Sequence, residues 1–176
     1  IVSKCSLSPS QINTLIYNNG PGSFTGIRVS SAIVQAIGFS NNCPVYGINA
    51  LNLDAYYMYK KYNFQKIQIA KKAFGNQIFH GLFIVNDKDC ITQETIKTIT
   101  FTDIKTQSDY MLATNSQDIQ SDNVGKYESI GNYIGSELLI EYYTRYCEKK
   151  KGFDYKDALP SSVSYTHLTL PTIYSV

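Results

Sequence analysis

Tryptophan is absent from this 176-residue chain, and histidine occurs only at His80 and His167. Two histidines so far apart form no H-x-x-x-H or H-E-x-x-H pair, which argues against a helix-borne zinc or iron site. The four cysteines, Cys5, Cys43, Cys90 and Cys147, contain no C-x-x-C pair. Neither a zinc ribbon nor a redox dithiol is suggested, and reduced thiols are expected. No apolar run approaches the roughly 20 residues of a membrane-spanning helix, and no secretory leader is visible, so a cytoplasmic setting without membrane contact is expected. Charge of one sign is lacking too: 16 Lys and Arg against 14 Asp and Glu leave a net charge of +2. A dedicated nucleic-acid binder carries a clustered basic face. Here lysines cluster only at Lys60-Lys61, Lys71-Lys72 and Lys149-Lys150-Lys151, and the last reads as a solvated helix end, where positive charge suits the dipole.

Catalytic sets are equally scarce. There is no G-x-S-x-G elbow. Ser23 sits among glycines with no His or Lys base in pattern, so a helix cap is favoured over a nucleophile. Asp54 falls inside an expected helix, and Asp87 and Asp89 in a turn. These acids are read as solvated, with pairing in space as the alternative. His80 follows Phe79 in an expected strand and reads as a half-buried histidine.

What the chain does have is 43% hydrophobic residues, enough for a core, and 15 tyrosines. Its most informative run is GPGSFTGIR, residues 20–28. An apolar stretch before it reads as a strand over 14–17, and 25–40 reads as a helix. A glycine-rich turn from strand into helix presents backbone N–H groups at the positive end of the helix dipole, the local geometry of an anion or phosphate cradle. Gly20, Gly22, Ser23 and Thr25 would line it, with Ser23 or Thr25 as cap and Gly26 allowing close packing of the first turn. The run is not a Walker A loop, since no Lys follows, and its G-x-G-x-x-x-G spacing is one residue longer than the dinucleotide fingerprint. On spacing alone a plain tight turn is favoured over a cradle. Arg28 is the one charge in the run. It either reaches back to loop carbonyls or a partner's carboxylate, or is a helix-surface arginine.

Downstream, Pro44 precedes a strand over 45–48, and Asn49 is a plausible cap for a helix over 50–61. Strand, helix, strand and helix in this order imply parallel strands joined by a right-handed crossover. A second half carries strands over 66–70, 77–86, 95–101 and 110–114, a polar loop over 115–126, and a last helix over 129–150. That helix carries a stripe of Ile130, Ile134, Leu138, Tyr142 and Tyr146, with Glu141 and Arg145 as a surface pair. Alternating strands and helices in two halves give an α/β architecture.

GPGSFTGIR, the small-residue helix after it, Pro44-Val45, and Asn49-Ala50-Leu51 together resemble the TsaB family, over about residues 8–83. That family is the dimerisation subunit of the bacterial machinery making threonylcarbamoyladenosine (t6A) in tRNA. The resemblance implies a ribonuclease-H-like, actin/Hsp70-type fold of two lobes, the first incomplete here. Residues 1–62 would be the remainder of the N-terminal lobe and 63–160 the C-terminal lobe. It implies a non-catalytic scaffold that forms a heterodimer with a catalytic paralogue of the same fold. The complex's ATPase subunit would be a further partner, with ATP and tRNA engaged through the complex. A homodimer is the other arrangement it allows. Phe24, Arg28, Ser31, Gln35, Tyr56 and Tyr59 would form the partner interface. An ATP-dependent transferase or kinase, or a metallopeptidase-like enzyme of the same superfold, is the alternative.

The departures are specific. Val34-Gln35-Ala36 stands where relatives have Ala-Lys-Gly, and Lys72-Ala73-Phe74 where they have Asp-Ala-Arg. The paralogue's histidine pair is missing. The chain opens at Ile1 in mid-pattern, so the family's first hairpin is expected to be missing, leaving an unpaired sheet edge and poor solubility. Residues 163–172, VSYTHLTLPT, resemble translated adapter sequence, and 161–176 is read as a non-native tail.

Overall fold

The computed structural model describes residues 8–92, 96–116, 127–129, 135–148, 152 and 154–160. The expected tail over 161–176, His167, Cys5, Lys149 to Lys151 and nearly all of the polar loop lie outside them.

After a 3-10 turn at Pro9–Gln11, β1 (Leu15–Gly20) leads into α1 (Phe24–Asn41), followed by β2 (Val45–Asn49) and α2 (Ala50–Tyr62). β1 and β2 are parallel, with Leu15 opposite Val45 and Tyr17 opposite Gly47, as the crossover reasoning requires. Both helices end where asparagine takes the left-handed conformation, Asn42 at φ 48° and Asn63 at φ 53°, a region asparagine tolerates better than most side chains.

The second half builds a mixed sheet from β3 (Lys66–Lys72), β4 (Gln77–Val85), β5 (Cys90–Thr92), β6 (Lys97–Thr100), β7 (Met111–Thr114) and β8 (Tyr127–Ser129). Its order is β5-β4-β3-β7-β8, and β6 shares the β4 edge with β5. β3 and β4 form an antiparallel hairpin with Ile69 opposite Gly81, whereas β7 runs parallel to β3 and β8 parallel to β7. The last described elements are α3 (Ser136–Tyr146) and a 3-10 turn at Tyr155–Asp157. The last helix thus starts later than its periodicity suggests. Gly135 is extended at its N-cap, and Ser129 belongs to a strand. The expected stripe residues Ile130 and Ile134 lie outside the described residues, while Tyr142 and Tyr146 are buried as expected.

Three apolar clusters hold these elements. The largest surrounds α2, where Leu51, Leu53, Ala55, Tyr56 and Met58 meet Ile67, Ile69, Phe79 and Phe83 of the mixed sheet and Tyr142 and Tyr146 of α3. Because α2 touches both sheets and α3, it is apolar on nearly every side. A second cluster joins Tyr17, Val34 and Val45 to Ala158. A third covers the far side of the mixed sheet, where Ala70, Ile78 and Leu112 lie under Ile99, Phe101 and Ile104.

Residues 154–160 are strapped to α1. Gln35 Nε2 donates to the Ala158 carbonyl at 3.2 Å, and Tyr17 Oη donates to the Leu159 carbonyl at 3.2 Å. Phe39 meets the Tyr155 ring edge-on at 5.5 Å. Gly38 makes this approach feasible, since a Cβ there would fall 2.7 Å from Tyr155 Cβ and 3.3 Å from Val45 Cγ2. A Gly38→Val variant is expected to lose about 1–3 kcal/mol and to expose 154–160 to protease. Unchanged melting and unchanged cleavage would show that the strap adapts. Gly26, by contrast, is exposed and would bring a Cβ no closer than 3.5 Å to Ser23, so it does not serve close packing as expected.

Candidate functional site

The GPGSFTG run forms the predicted strand-to-helix turn. β1 extends three residues further than the sequence suggests, and its last residue, Gly20, adopts φ 109°, open to glycine but strained for other residues. Asn18 Oδ1 accepts from Gly20 N at 2.9 Å and tightens the turn. The Gly20-Pro21 bond is cis. Ser23 is the N-cap of α1, its Oγ accepting from Gly26 N at 3.4 Å. Thr25 lies in the first helical turn instead. Gly22 stands 3.6 Å or more from its neighbours by the same Cβ measure. The four expected loop residues therefore surround the N-terminus of an 18-residue helix, where the dipole favours negative charge.

Arg28 turns back on this same end. Its guanidinium lies 3.4 Å from the centroid of the Phe24 ring, and Nη1 donates to the Phe24 carbonyl at 3.4 Å. A planar cation stacked on an aromatic ring is a stable local arrangement. It keeps Arg28 at the surface beside the loop.

The surface of α1 is its most unusual property. Its sequence, FTGIRVSSAIVQAIGFSN, holds a single charged residue. Val29 is 51% exposed, Ile33 53% and Phe24 38%, and Ala32 and Ala36 are exposed beside them. Positions 29, 32, 33 and 36 share one face at helical spacing. Beyond it, a shallow groove of about 550 Å³ runs between Ala32, Ala36 and Phe39 of α1 and Tyr155 and Lys156 of the strap.

Four of the residues expected at a partner surface are buried or half-buried. Tyr56 is fully buried, its Oη donating to Glu141 Oε1 at 2.8 Å. It is a core residue because α2 is enclosed by both sheets and α3. Ser31 is buried beside Tyr17 on the inward face of α1. Gln35 is half-buried and committed to the strap. Tyr59 is half-buried, donating to Asp87 Oδ1 at 3.1 Å. Phe24 and Arg28 do lie on the surface.

The expected Glu141–Arg145 pair is also rearranged. Glu141 Oε2 sits 2.6 Å from Lys60 Nζ, and Arg145 Nη1 2.8 Å from Asp87 Oδ1. Each reaches across to another element, since α3 packs on α2 and on the turn after β4. Hydrogen bonds from Lys60 and Tyr56 hold the Glu141 carboxyl below its ordinary value. Next to this pair, a cleft of about 350 Å³ opens between Tyr57, Lys60 and Lys61 of α2 and Leu138 of α3.

Sequence reasoning also missed the most buried of these charged pairs. Asp54 is buried, and its Oδ2 lies 2.8 Å from Lys71 Nζ. Burial raises the Asp54 carboxyl above its ordinary value, and Lys71 opposes the rise. The pair joins α2 to β3 across the largest core. A strand ending at residue 70 hid it. Carried one step further, the β3 alternation puts Lys71 on the inward face of Ile67 and Ile69. Among the described residues no group of three or more His, Cys, Asp or Glu is placed to hold a metal ion, and no helix is long and apolar enough to cross a membrane.

Residues 1–68 match a family model described as "TsaD: tRNA N6-adenosine threonylcarbamoyltransferase". The tRNA threonylcarbamoyladenosine biosynthesis protein TsaB of Buchnera aphidicola subsp. Schizaphis graminum is 30% identical over 87 residues, which are 49% of this chain and 41% of that protein. TsaB of Haemophilus influenzae is 30% identical over 79 residues, 45% of this chain and 34% of that protein. TsaB of Escherichia coli is 37% identical over 51 residues, 29% of this chain and 22% of that protein. The chain thus spans well under half the length of these relatives. The structure of YeaZ from Pseudomonas aeruginosa superposes with a TM-score of 0.72 at 16% identity, covering 92% of this chain and 79% of that one. A second P. aeruginosa structure, described as similar to peptidase YeaZ, gives 0.76 at 16% identity, covering 93% and 79%. The glycine loop, capped helix and parallel crossover lie within residues 1–68, which match the family model, and the chain is similar to the TsaB proteins in sequence over about half its length and to the two YeaZ-like structures in its α/β fold.

Proposed function

We propose that this chain serves t6A synthesis as a non-catalytic scaffold, holding a catalytic threonylcarbamoyltransferase of the same fold against the outer face of α1. The observation that carries the reading is the charge-poor, apolar face of that helix. Val29 and Ile33 are each more than half exposed, with only Arg28 as a charge along 18 residues. A helix this apolar toward water marks an interaction surface. Phe24 and Arg28 form a rigid aromatic-cation pair at one end, the residue types that anchor interfaces. The glycine loop then fixes where α1 begins and so aims this face. The relatives named TsaB support the pathway, and the catalytic step would belong to the partner. ATP and the complex's ATPase subunit would act on the assembled pair.

The test is co-purification of the full-length protein with the threonylcarbamoyltransferase of the same organism, with and without ATP. One-to-one association is expected, with no tRNA modification by this subunit alone. An Ile33→Asp variant places a charge on the exposed face without touching the core. It is expected to fold normally and to weaken association at least tens-fold, as loss of an interface anchor does. Undiminished binding by that variant would remove α1 from the interface. Modification of tRNA, or ATP turnover, by this chain alone would favour an enzyme instead.

A further inference from the structure

The strap gives α1 a second wall. Tyr155 packs beside Gly38 and Phe39, and Ala158 bonds to Gln35, so the strap runs along the helix in the opposite sense. The groove of about 550 Å³ lies between Ala32, Ala36 and Phe39 on one side and Tyr155 and Lys156 on the other. Its helical wall starts with two alanines one turn apart, so only methyl groups narrow it there. Ala32 and Ala36 also belong to the apolar face that Val29 and Ile33 extend toward the glycine loop. Phe39, 69% exposed, bounds the far end. The bonds from Gln35 and Tyr17 hold the second wall in place, so the groove stands ready before anything binds.

The charges of the strap are sorted by side. Asp154 and Asp157 line a separate cleft with Asn42 and Pro44, whereas Lys156 lines the groove, its Nζ 5.6 Å from the Tyr155 ring centroid. No acid stands on α1 or among the residues lining the groove. Arg28 lies toward the other end of the same surface, and the helix from position 28 to position 39 spans about 16 Å, close to three turns. We infer that α1 and the strap together receive one amphipathic helix of the transferase partner. Its small apolar side chains lie over Ala32 and Ala36, and two of its carboxylates, about three turns apart, meet Arg28 and Lys156. The inference rests on the reading of α1 as the partner face and adds the strap to it. Two cations at the ends of an apolar stripe select an acidic-flanked helix and turn away a basic one. The strap then serves recognition as well as covering Tyr17, Val34 and Val45.

The test measures affinity of the full-length protein for the transferase of the same organism, at about 0.05 M and about 0.5 M salt, with melting curves to confirm folding. Ala36→Trp fills the groove from an exposed position and is expected to weaken binding about tenfold at both salt concentrations. Lys156→Glu is expected to weaken it about fivefold at low salt and hardly at high salt, as a rim charge does. Asp157→Lys, on the side of the strap away from the groove, should leave binding nearly unchanged. A gain from Asp157→Lys as large as the loss from Lys156→Glu would trace both to net charge and overturn the groove. Loss of binding in Ile33→Asp, with Ala36→Trp and Lys156→Glu both undiminished, would also overturn it while leaving α1 as the partner face. A parent chain that does not associate would remove both readings together. Self-association of the parent in sedimentation, abolished by Ala36→Trp, would give the groove to a second copy of this chain and overturn the assignment to the transferase.

Discussion

Replacing Lys71 by methionine is expected to lower stability by about 3 kcal/mol at neutral pH, the low end of what breaking a buried ion pair costs. Asp54 is only 1% exposed, while Lys71 keeps 24% of its side chain in contact with solvent. Methionine fills much the same space, so the loss comes chiefly from an unpaired carboxylate rather than from a cavity. The pH dependence separates the two. Burial already raises Asp54 above its ordinary 3.8 despite Lys71. A folded state that binds a proton more tightly than the unfolded chain is stabilised as pH falls. Asp54 therefore contributes stability that is fully present below about pH 3.8 and lost as pH rises through its folded value. Without Lys71 both opposing effects vanish and that value climbs further. Urea unfolding at pH 7.5 and pH 5 should show the variant's deficit shrinking in acid. A deficit of the same size at both would trace it to packing. Adding Asp54→Asn to the variant should restore part of the loss at pH 7.5, because a neutral amide is cheaper to bury.

The elements around the glycine loop were legible because their signals are local. Ser23 and Asn49 are caps with a side-chain oxygen two or three residues from the N–H they accept, and β1 and β2 begin as short apolar runs. Two kinds of error arose where tertiary context decides. Boundaries moved where a strand ran on into polar residues: Asn18 and Asn19 in β1, Lys71 and Lys72 in β3. Their backbones are held by the neighbouring strand whatever their side chains prefer. Facing was lost where an element is enclosed on several sides. Tyrosines on a free helix read as an interface, and on α2 Tyr56 is core. The reverse holds for Ile33, which looks like a core residue in sequence and faces water on α1. The strap over α1 and the bonds from Gln68 to the Lys105 carbonyl and the Gln107 N–H join residues more than 30 positions apart, and no pattern along the chain announces either.

Tyr56→Ala should cost about 3–5 kcal/mol, the usual penalty for emptying an aromatic site in a core, and so a large fraction of the stability of an ordinary domain. Tyr56 is fully buried, and its ring meets Tyr142 edge-on at 5.6 Å and Tyr146 at 5.4 Å. Removing it takes away the ring on which both pack and loosens α3 on α2. Tyr56→Phe isolates the hydroxyl. It keeps the rings and surrenders one hydrogen bond to Glu141, which retains Lys60, so a loss of about 1 kcal/mol is expected. Alkaline behaviour distinguishes the hydroxyl's role further. Burial and the Glu141 carboxylate push the Tyr56 phenol up to about 12 from its ordinary 10.0. Its contribution is thus complete below pH 10 and disappears as pH rises through about 12. The phenylalanine variant should lack that share of the alkaline loss. Thermal melts of the three proteins, run alongside partner association, decide between core and interface. A folded, undiminished Tyr56→Ala protein that no longer binds the transferase would return Tyr56 to the partner surface. A destabilised protein whose folded fraction still binds would fix the interface on α1 and leave α2 as the post around which both sheets are built.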